Sequence, residues 1–349
     1  MIKYCLGVDV SKKDLHCCIS TIDQTQKVSV KGSRKFLNNK DGFKALHAWT
    51  QNLHKEPSIP LVVVMEATGI YYEQLALYLF QCGYALSVVL PNKAKKYLQS
   101  TGLKSKTDKI DAQGLARMGA EQRLELWQPM AAFFYELRAL TRQHQSLQEL
   151  KTSLTNQQQA QQLSMQVNKL VAKQLKALIA TVDKQLKDLQ AAIEKHIGGN
   201  PEVAERVANI CKIKGLGLLA VAVVLGETNG FALFQNSRQL VSYAGYDVVE
   251  NQSGLHRGRT RISKKGNARI RRVLHLPAFS VIRYEQTPFL GLYTRTLEKH
   301  SQKMKSYVAV QKKLLVIIYA LWKHNKPYQL HLTPPVSDGV KEPQGVLCK

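Results

Sequence analysis

The stretch KYCLGVDVSKKDLHCCI, residues 3–19, places an acid inside an apolar strand pattern. Its first half is typical of a buried strand that contains Asp9, and a short polar link leads into a second strand. Valine would stabilise such a sheet better than aspartate, because a buried carboxylate costs free energy unless a partner compensates it. The stretch therefore raises the question of what compensates Asp9.

The chain of 349 residues is long enough for two compact domains and is strongly basic, with 50 Lys and Arg against 25 Asp and Glu and a formal net charge of +25. Such an excess favours a polyanionic partner. A basic membrane-surface protein is the alternative, but there is no apolar run of about 18 residues and no signal-peptide pattern. The six cysteines form no CxxC pair and indicate reduced thiols in a cytosolic protein.

The first 90 residues alternate between strand-like and helix-like segments. Strands are predicted at about 3–10, 14–22 and 26–32, then a helix at 42–53, the strand PLVVVME, a helix at 71–82 and the strand ALSVVL. The short links predict an antiparallel meander, and the later strand-helix-strand units predict parallel neighbours. This order predicts an α/β domain with a ribonuclease-H-like mixed sheet covered by helices.

The segment from about Ala131 to Ile197 is rich in Gln, Leu, Lys and Ala. The spacing of its apolar residues predicts two long helices, which form either an antiparallel hairpin or an intermolecular coiled coil. The Gln-rich TNQQQAQQ is either the turn or a polar face, and IGGNP ends the element. The predicted apolar stripe comprises Leu137, Leu140, Leu147, Leu150, Leu154, Val167, Leu170, Leu178, Leu189 and Ile193.

Four acidic residues lie at positions in the predicted strands and helices where a purely structural role does not readily explain an acid. Asp9 lies within the first strand, Glu66 ends the strand VVVME, and Asp108 and Asp111 begin a helix on one of its faces. The first and fourth strands of a ribonuclease-H-like sheet are adjacent, so Asp9 and Glu66 should converge. A helix packed on that edge would bring Asp108 and Asp111 to the same place.

Carboxylates crowded in this way raise one another's pKa and need a compensating cation. Hard oxygen ligands favour Mg²⁺ or Mn²⁺, and two such ions about 3.5–4 Å apart stabilise both oxygens of a phosphodiester displacement. Taken singly, Asp9 is explained as an edge or turn acid, Glu66 as a helix cap and Asp108 as an N-terminal capping residue. Their joint placement favours the metal site.

The segment NQSGLHRGRTRISKKGNARIRRVLH, residues 251–275, is basic throughout and contains no acid. Such runs are usually solvated or contact phosphate, and the interspersed glycines allow the backbone to approach a ligand closely. We therefore predict nucleic-acid binding by Arg257, Arg259, Arg261, Lys264, Lys265, Arg269, Arg271 and Arg272.

Two more segments indicate contacts with phosphate. Gly215 and Gly217 lie between two apolar helices and resemble a helix-hairpin-helix, in which backbone N–H groups hold a phosphate, although an ordinary glycine turn is the alternative. The Lys-rich segment 91–109 leads directly into Asp108. Its candidate binding residues are Lys93, Lys95, Lys96, Lys104 and Lys106.

Four stretches together resemble the DEDD transposases of the IS110 (IS-one-ten) insertion-sequence family, which are related to the Piv DNA invertase. They are GVDVSKKDLH, the long segment from VVMEATGIYY to KTDKIDAQGLA, IKGLGLLAVAVVLGE, and the segment from YAGYDVVENQSG to GNARIRRVL. The resemblance runs to about residue 325, and the motifs follow the family's order.

The resemblance implies a domain order. It comprises a RuvC-like DEDD catalytic domain over 1–128, coiled-coil linker and oligomerisation helices over 129–200, and a mostly helical C-terminal transposase domain over 201–328. The Pro- and Gly-rich tail 329–349 is predicted to be disordered.

The resemblance also implies roles for particular residues. Asp9, Glu66, Asp108 and Asp111 would be the DEDD metal ligands, and a serine of the C-terminal domain would become transiently linked to a DNA phosphate. By the motif QSG that serine falls on Ser253, and Ser263 in RISKKG is the fallback. Many relatives have a second serine where this chain has Gln252, so the motif contains one candidate here.

The partners that the resemblance implies are double-stranded DNA at the element ends and target, a noncoding bridge RNA, and further copies of the chain as dimers that pair into tetramers. Its implied location is the cytoplasm, at a prokaryotic nucleoid. Because long helices separate the two domains, we predict that Ser253 acts in trans on the RuvC-like domain of another subunit.

Three rival functions compete with this interpretation. A metal-dependent Holliday-junction nuclease or resolvase would use the four acids with water as nucleophile. An actin-like ATPase or sugar kinase would need a second glycine-rich phosphate loop, and the sequence shows none. A non-catalytic RNA- or DNA-binding protein would explain the charge but not the acids.

Overall fold

The computed structural model describes residues 1–102, 107–250, 252–253, 256–258 and 260–328, with the backbone alone at 252–253 and 256–257. The chain divides into two compact units, Met1–Pro129 and Met130–Lys349. The predicted linker helices belong to the second unit, and the division into three domains stays a prediction. In the described residues, no helix combines the length and apolar character needed to cross a membrane.

The first unit is built on a mixed sheet in the order β3-β2-β1-β4-β5. β1 pairs antiparallel with β2 and parallel with β4, so the predicted meander and the adjacency of the first and fourth strands are confirmed. The fold class is ribonuclease-H-like in its first unit, as predicted. The strands are β1 (Lys3–Val10), β2 (Asp14–Ile22), β3 (Val28–Leu37), β4 (Leu61–Glu66) and β5 (Ala85–Val89).

The third strand is longer than its sequence pattern predicts. The prediction ended at residue 32, whereas β3 continues to Leu37. Arg34 and Lys35 are exposed in the added stretch, and β3 is an edge strand. Charged side chains protect such an edge against further strand pairing, so hydrophobic periodicity fails to detect it.

Helices cover both faces of this sheet. Alternation along β1 directs Leu6 and Val8 to one face, where they pack in a core that also contains α1 and α2 side chains. Cys5 points to the other face and packs with α4. The helices are α1 (Lys40–Leu53), α2 (Glu73–Gln81), α3 (Pro91–Ser100) and α4 (Asp108–Glu121).

The second unit is mostly helical, as predicted. Its α8 is buried on nearly all sides, which its sequence LLAVAVVLGET, apolar from Leu218 to Gly226, explains. The helices are α5 (Ala132–Gln162), α6 (Lys169–Gly198), α7 (Pro201–Cys211), α8 (Leu218–Thr228), α9 (Ser237–Ala244), α10 (Ala268–Val273), α11 (His275–Arg283), α12 (Thr287–His300) and α13 (Lys303–His324).

The long helices α5 and α6 pack against each other within the chain. Their shared core contains Leu147, Leu154, Leu175, Val182 and Leu186. The predicted stripe was wrong at three of its leucines, which are exposed, because the register of this pairing selects a different set. These are Leu150, Leu170 and Leu178. The Gln-rich segment lies inside α5, and the turn follows it at 163–168.

The basic segment begins as a narrow antiparallel ribbon. Its base is β6 (Val248–Val249) paired with β9 (Arg261–Ile262), and its outer part is β7 (Gln252–Ser253) paired with β8 (His256–Arg257). The chain then enters α10, whose N-cap Asn267 accepts hydrogen bonds from the N–H groups of Arg269 and Ile270.

Candidate active site and nucleic-acid interface

Asp9 and Glu66 lie at the carboxyl ends of adjacent parallel strands. The β1–β4 register pairs Val8 with Met65, so the two acids occupy the next position along each strand. Both side chains are half-buried. The parallel pairing therefore brings two carboxylates, 57 positions apart in sequence, to one edge of the sheet.

A close packing contact brings the helix with the other two acids towards Asp9. Alternation along β1 places Gly7 and Asp9 on the face that α4 covers. A Cβ atom on Gly7 would lie 2.2 Å from both the carbonyl oxygen of Ala112 and the amide nitrogen of Ala116. Glycine on the strand and alanines on the helix thus allow α4 to lie directly on β1.

The first turn of α4 carries Asp108 and Asp111. The side chain of the N-cap Thr107 accepts a hydrogen bond from the Ile110 N–H at 3.3 Å, which fixes where the helix begins. Two carboxylates at a helix N-terminus interact favourably with the helix dipole, so this turn tolerates their charge.

The four predicted ligands share one electrostatic environment. Burial, together with the charges of Asp108, Asp111 and Glu66, raises the pKa of Asp9 to about 6, while His16 opposes the shift. A carboxyl group with such a pKa lies where negative charge is concentrated and incompletely compensated by the protein.

His16 is a site residue that the sequence interpretation missed. It is paired with Asp9 across β1 and β2, and its Nε2 lies 3.5 Å from Asp108 Oδ2, forming an ion pair when the imidazole is protonated. The signal was the strand register, which places His16 opposite Asp9. The sequence interpretation considered acids alone.

The donor set suits a hard divalent cation, but the carboxylates do not converge on one point. Among the residues that the structure describes, no group of three or more His, Cys, Asp or Glu side chains is arranged to hold a metal ion. Carboxylate oxygens are the ligands that Mg²⁺ and Mn²⁺ prefer, and the raised pKa of Asp9 marks the need for a cation. The residues therefore fit such an ion in the chemistry of their donor atoms.

The predicted basic surfaces divide into exposed side chains and side chains with partners in the fold. Those exposed to solvent are Lys93, Lys95 and Lys96 on α3, and Arg261, Lys264 and Lys265 after the ribbon. Lys104, Lys106 and Arg259 lie outside the described residues, as do the side chain of Arg257 and the predicted tail 329–349.

The arginines of α10 make intramolecular contacts. Arg271 donates a hydrogen bond to the carbonyl of Ala244 at 2.7 Å, and Arg272 forms an ion pair with Glu149. Arg269 Nε lies 4.0 Å from Glu227 Oε1. These three residues help to hold α10 in place, and their contact with nucleic acid stays a prediction.

Glu227 is a second residue that the sequence interpretation missed. Its carboxylate, 2% exposed, accepts hydrogen bonds from Arg142 Nε at 2.7 Å, Arg142 Nη2 at 2.9 Å and Asn267 Nδ2 at 2.7 Å. Burial alone would raise the pKa of Glu227, but these hydrogen bonds and the charges of Arg142 and Arg269 outweigh it and lower the pKa. Glu227 therefore fixes α10 to α5 and α8.

The two glycines of the predicted helix-hairpin-helix differ in what requires them. Gly215 has φ +95°, and a Cβ atom there would lie 2.7 Å from Ser280 Cβ, so backbone conformation and packing both favour glycine. Gly217 is exposed, caps α8 and would have no atom within 4 Å of an added Cβ. Packing explains Gly215, and phosphate binding at either glycine stays a prediction.

The two candidate serines lie on different parts of the ribbon. Ser253 is in β7, paired with His256 next to the tip. Ser263 follows the base of the ribbon, where its N–H donates to the Asp247 carbonyl at 2.7 Å and its Oγ accepts from the Lys265 N–H at 3.3 Å. The contacts of Ser263 are those of a turn residue.

Two family models match the chain, one in each half. The model DEDD_Tnp_IS110, described as Transposase, matches residues 6–165, and the model described as Transposase IS116/IS110/IS902 family matches residues 207–293. A "Pilin gene-inverting protein" of Moraxella lacunata is 31% identical over 333 residues, covering 94% of this chain and 98% of the relative. The chain belongs to the IS110 transposase family. It is accordingly an enzyme that acts on DNA as a transposase or recombinase.

A more distant relative of this IS110 transposase is the "Transposase for insertion sequence element IS1111A" of Coxiella burnetii. It is 23% identical, over 76% of this chain and 79% of the relative. Among solved structures, "T. thermophilus RuvC in complex with Holliday junction substrate" aligns with 36% of the transposase and 99% of its own chain, at 13% identity and a TM-score of 0.28. The fold of the first unit is defined by its own sheet order.

Proposed function

We propose that this transposase cleaves and exchanges DNA strands with two groups from different units, a metal-binding acid cluster and the serine Ser253. The observation that carries the proposal is the electrostatic coupling of Asp9 to Glu66, Asp108 and Asp111 at one edge of the sheet. A purely structural role would favour strong compensation of Asp9 by an opposite charge, as Glu227 has in Arg142, whereas the neighbouring acids outweigh His16 and the pKa of Asp9 is raised.

In the first unit, Asp9, Glu66, Asp108 and Asp111 would hold Mg²⁺ or Mn²⁺, and Asp9 would bind it in the ionised form. When bound, the ion would supply positive charge that activates the nucleophile or stabilises the leaving 3′ oxygen. His16 Nε2 lies 3.5 Å from Asp108 Oδ2, so a protonated His16 would form an ion pair with that carboxylate.

In the second unit, the Ser253 hydroxyl would attack a DNA phosphorus atom. A bond forms between Ser253 Oγ and phosphorus, the bond from phosphorus to the 3′ oxygen breaks, and the hydroxyl proton leaves to a base. The 3′ oxygen takes up a proton, and the strand stays linked through a phosphoserine ester. A serine hydroxyl is a weak nucleophile at its own pKa, so it needs the activation that the acid cluster would provide.

The contacts of Ser263 favour Ser253 as the nucleophile. Ser263 is engaged in the turn that follows the ribbon, through Asp247 and Lys265. The backbone of Ser253 lies in β7, and the sequence of its segment is rich in cationic residues, which attract phosphate.

The partners complete the proposal. A bridge RNA would choose the donor and target DNA, and dimers that pair into tetramers would allow Ser253 to act in trans on the first unit of another subunit. The net charge of +25 supports a polyanionic partner of either kind.

The test is to trap a covalent complex between the protein and end-labelled element DNA on a denaturing gel, in the presence of Mg²⁺. The wild type and Ser263→Ala should give the adduct, and Ser253→Ala should give none. Cleavage that persists in Ser253→Ala without an adduct would contradict the proposal and would identify a nuclease or resolvase that uses water.

Mixing subunits tests action in trans. Neither Ser253→Ala nor Asp9→Ala should cleave alone, and their mixture should regain cleavage if the serine and the acids of one site come from different chains. A mixture that stays inactive, while both variants still bind DNA, would contradict action in trans.

A further inference from the structure

A cleft of about 420 Å³ lies in the second unit beside the base of the ribbon. It is bounded by β6 and β9 on one side and by the end of α12 and the first half of α13 on the other. A volume of this size lies in the range of small-ligand sites and is large enough for one planar heterocycle. The residues that line it and matter here are Val248, Arg261, Ile262, Met304, Lys305 and Lys312.

Apolar side chains in this cleft remain open to solvent. Val248 is 58% exposed and Met304 is 55% exposed, while Ile262 and Val308 are half-buried. Exposed apolar groups gathered in a concave site gain free energy when a flat apolar ligand covers them. The flexible thioether of Met304 can adapt to the face of such a ligand.

The charge of the cleft selects an anionic ligand. Arg261, His300, Lys305 and Lys312 line it, and none of the lining residues in the described part of the chain is acidic. Over its 22 residues, α13 contains no Asp or Glu. Tyr246 and Val248 line the cleft, whereas Asp247 between them is not a lining residue.

The cleft is connected to the proposed nucleophile by the ribbon. Val249 in β6 pairs with Arg261, and Ser253 follows four residues later. At about 3.3 Å per residue of fully extended chain, four residues separate the two positions by at most about 13 Å. A DNA strand held at Ser253 therefore passes within a few nucleotides of the cleft.

We propose that this cleft receives an unpaired nucleobase of the DNA strand that the protein cleaves. The apolar side chains contact the face of the base, and Arg261, Lys305 and Lys312 contact the flanking phosphates. Strand exchange requires bases next to the cleavage point to leave one duplex before they enter another, and the cleft holds one of them in that interval. This inference rests on the proposed function, because it takes the cleaved strand as its ligand.

The test compares the full-length protein's affinity for a 12-nucleotide oligodeoxythymidine with its affinity for the same backbone without bases. Both probes carry the same phosphates, so their ratio isolates the contact with bases from the strong general attraction of a basic protein. The wild type should prefer the base-bearing probe about fivefold, as expected for the contact of one base with an apolar surface.

Two variants should remove the preference, Met304→Asp and Val248→Asp, both at sites exposed enough to leave the fold intact. Leu276→Asp is the matched control, because Leu276 is an exposed apolar residue of the same unit that lies outside the cleft. The proposal is overturned if both cleft variants keep the preference, if Leu276→Asp loses it equally, or if a 12-nucleotide oligouridine shows the effect in place of the DNA probe.

The experiments distinguish a failure of the cleft proposal from a failure of the proposed serine mechanism. If Ser253→Ala abolishes the covalent adduct while the cleft variants keep the preference for bases, the cleft proposal alone is wrong. If the wild type forms no adduct but the preference depends on Met304 and Val248, the serine mechanism is wrong and the cleft still binds a base.

Discussion

Two carboxylates, one half-buried and one almost fully buried, have opposite pKa shifts in the two units of this transposase. Asp9 is surrounded by Glu66, Asp108 and Asp111, and its pKa is raised to about 6. Glu227 is bound by Arg142 and Asn267, and its pKa is lowered although burial acts in the other direction.

The difference separates a structural acid from a functional one. Glu227 is compensated by its own fold, so it stabilises the protein when ionised. Asp9 lacks such compensation beyond the influence of His16, and a cluster of this kind becomes favourable when a cation enters it. Burial is common to both residues, so the neighbours decide the role.

The largest effect should come from neutralising the uncompensated acid. Asp9→Asn keeps the shape of the side chain but removes a ligand charge, and DNA cleavage should fall on the order of 1000-fold at saturating Mg²⁺. Glu227→Gln, assayed well below its unfolding temperature, should retain far more cleavage. If the two variants lost DNA cleavage equally, Asp9 would not be the functional acid and Glu227 the structural one.

The approach of α4 to the sheet can be disrupted at Gly7. Gly7→Ala places a methyl group 2.2 Å from backbone atoms of Ala112 and Ala116, so unfolding in urea should show a loss of about 3 kcal/mol. Gly32→Ala is the control, because its nearest atoms belong to the side chains of Leu53 and Trp49, which can shift. A Gly7→Ala protein as stable as Gly32→Ala would contradict the close packing.

Breaking the compensated site should destabilise the second unit. Glu227→Gln removes the charge opposite Arg142 and should cost about 2–3 kcal/mol in urea unfolding at pH 7. Glu149→Gln removes the exposed partner of Arg272 and should leave the unfolding midpoint nearly unchanged. If Glu149→Gln lost more stability than Glu227→Gln, the hydrogen bonds of Glu227 would not be what holds α10.

The smallest expected effect is a gain in the free energy of unfolding, whereas the two preceding stability predictions are losses. Without added metal, Asp9→Asn should stabilise the protein by about 1–2 kcal/mol at pH 8, after allowance for solvent screening. Above the folded-state pKa of about 6, Asp9 is ionised and lowers the free energy of unfolding of the wild type. This destabilisation disappears as the pH falls from about 6 towards about 4, the pKa of Asp9 in the unfolded chain. The gain should therefore vanish by pH 4 in urea unfolding.

Asp14→Asn serves as its control, because Asp14 pairs with Lys35 at 3.0 Å and removing it should bring no gain at pH 8. If Asp9→Asn is as stable as the wild type at pH 8, the acid cluster is compensated without a metal.

The sheet order was predictable because connection lengths restrict strand pairing. Short links after the first two strands required antiparallel neighbours, and the helical crossovers required parallel ones. This order alone brings Asp9 next to Glu66. The helix start at Asp108 was also readable, since Thr107 and the two acids form an ordinary helix beginning.

Contacts between distant residues were not predictable from periodicity. His16 belongs to the site only through its register opposite Asp9, and Glu227 lies in an apolar run while its partner Arg142 is 85 positions away. The close approach of Gly7 to Ala112 is likewise a property of the packed sheet and helix. Each depends on which surfaces meet, and a pattern within one segment does not contain that information.

The most direct test of the central claim is calorimetric titration of Mg²⁺ or Mn²⁺ into the protein bound to a DNA duplex. The wild type should take up the ion at saturable sites, and a variant with Asp9, Glu66, Asp108 and Asp111 all replaced by alanine should show no such uptake. Equal heats for the two proteins would contradict a metal centre formed by these acids.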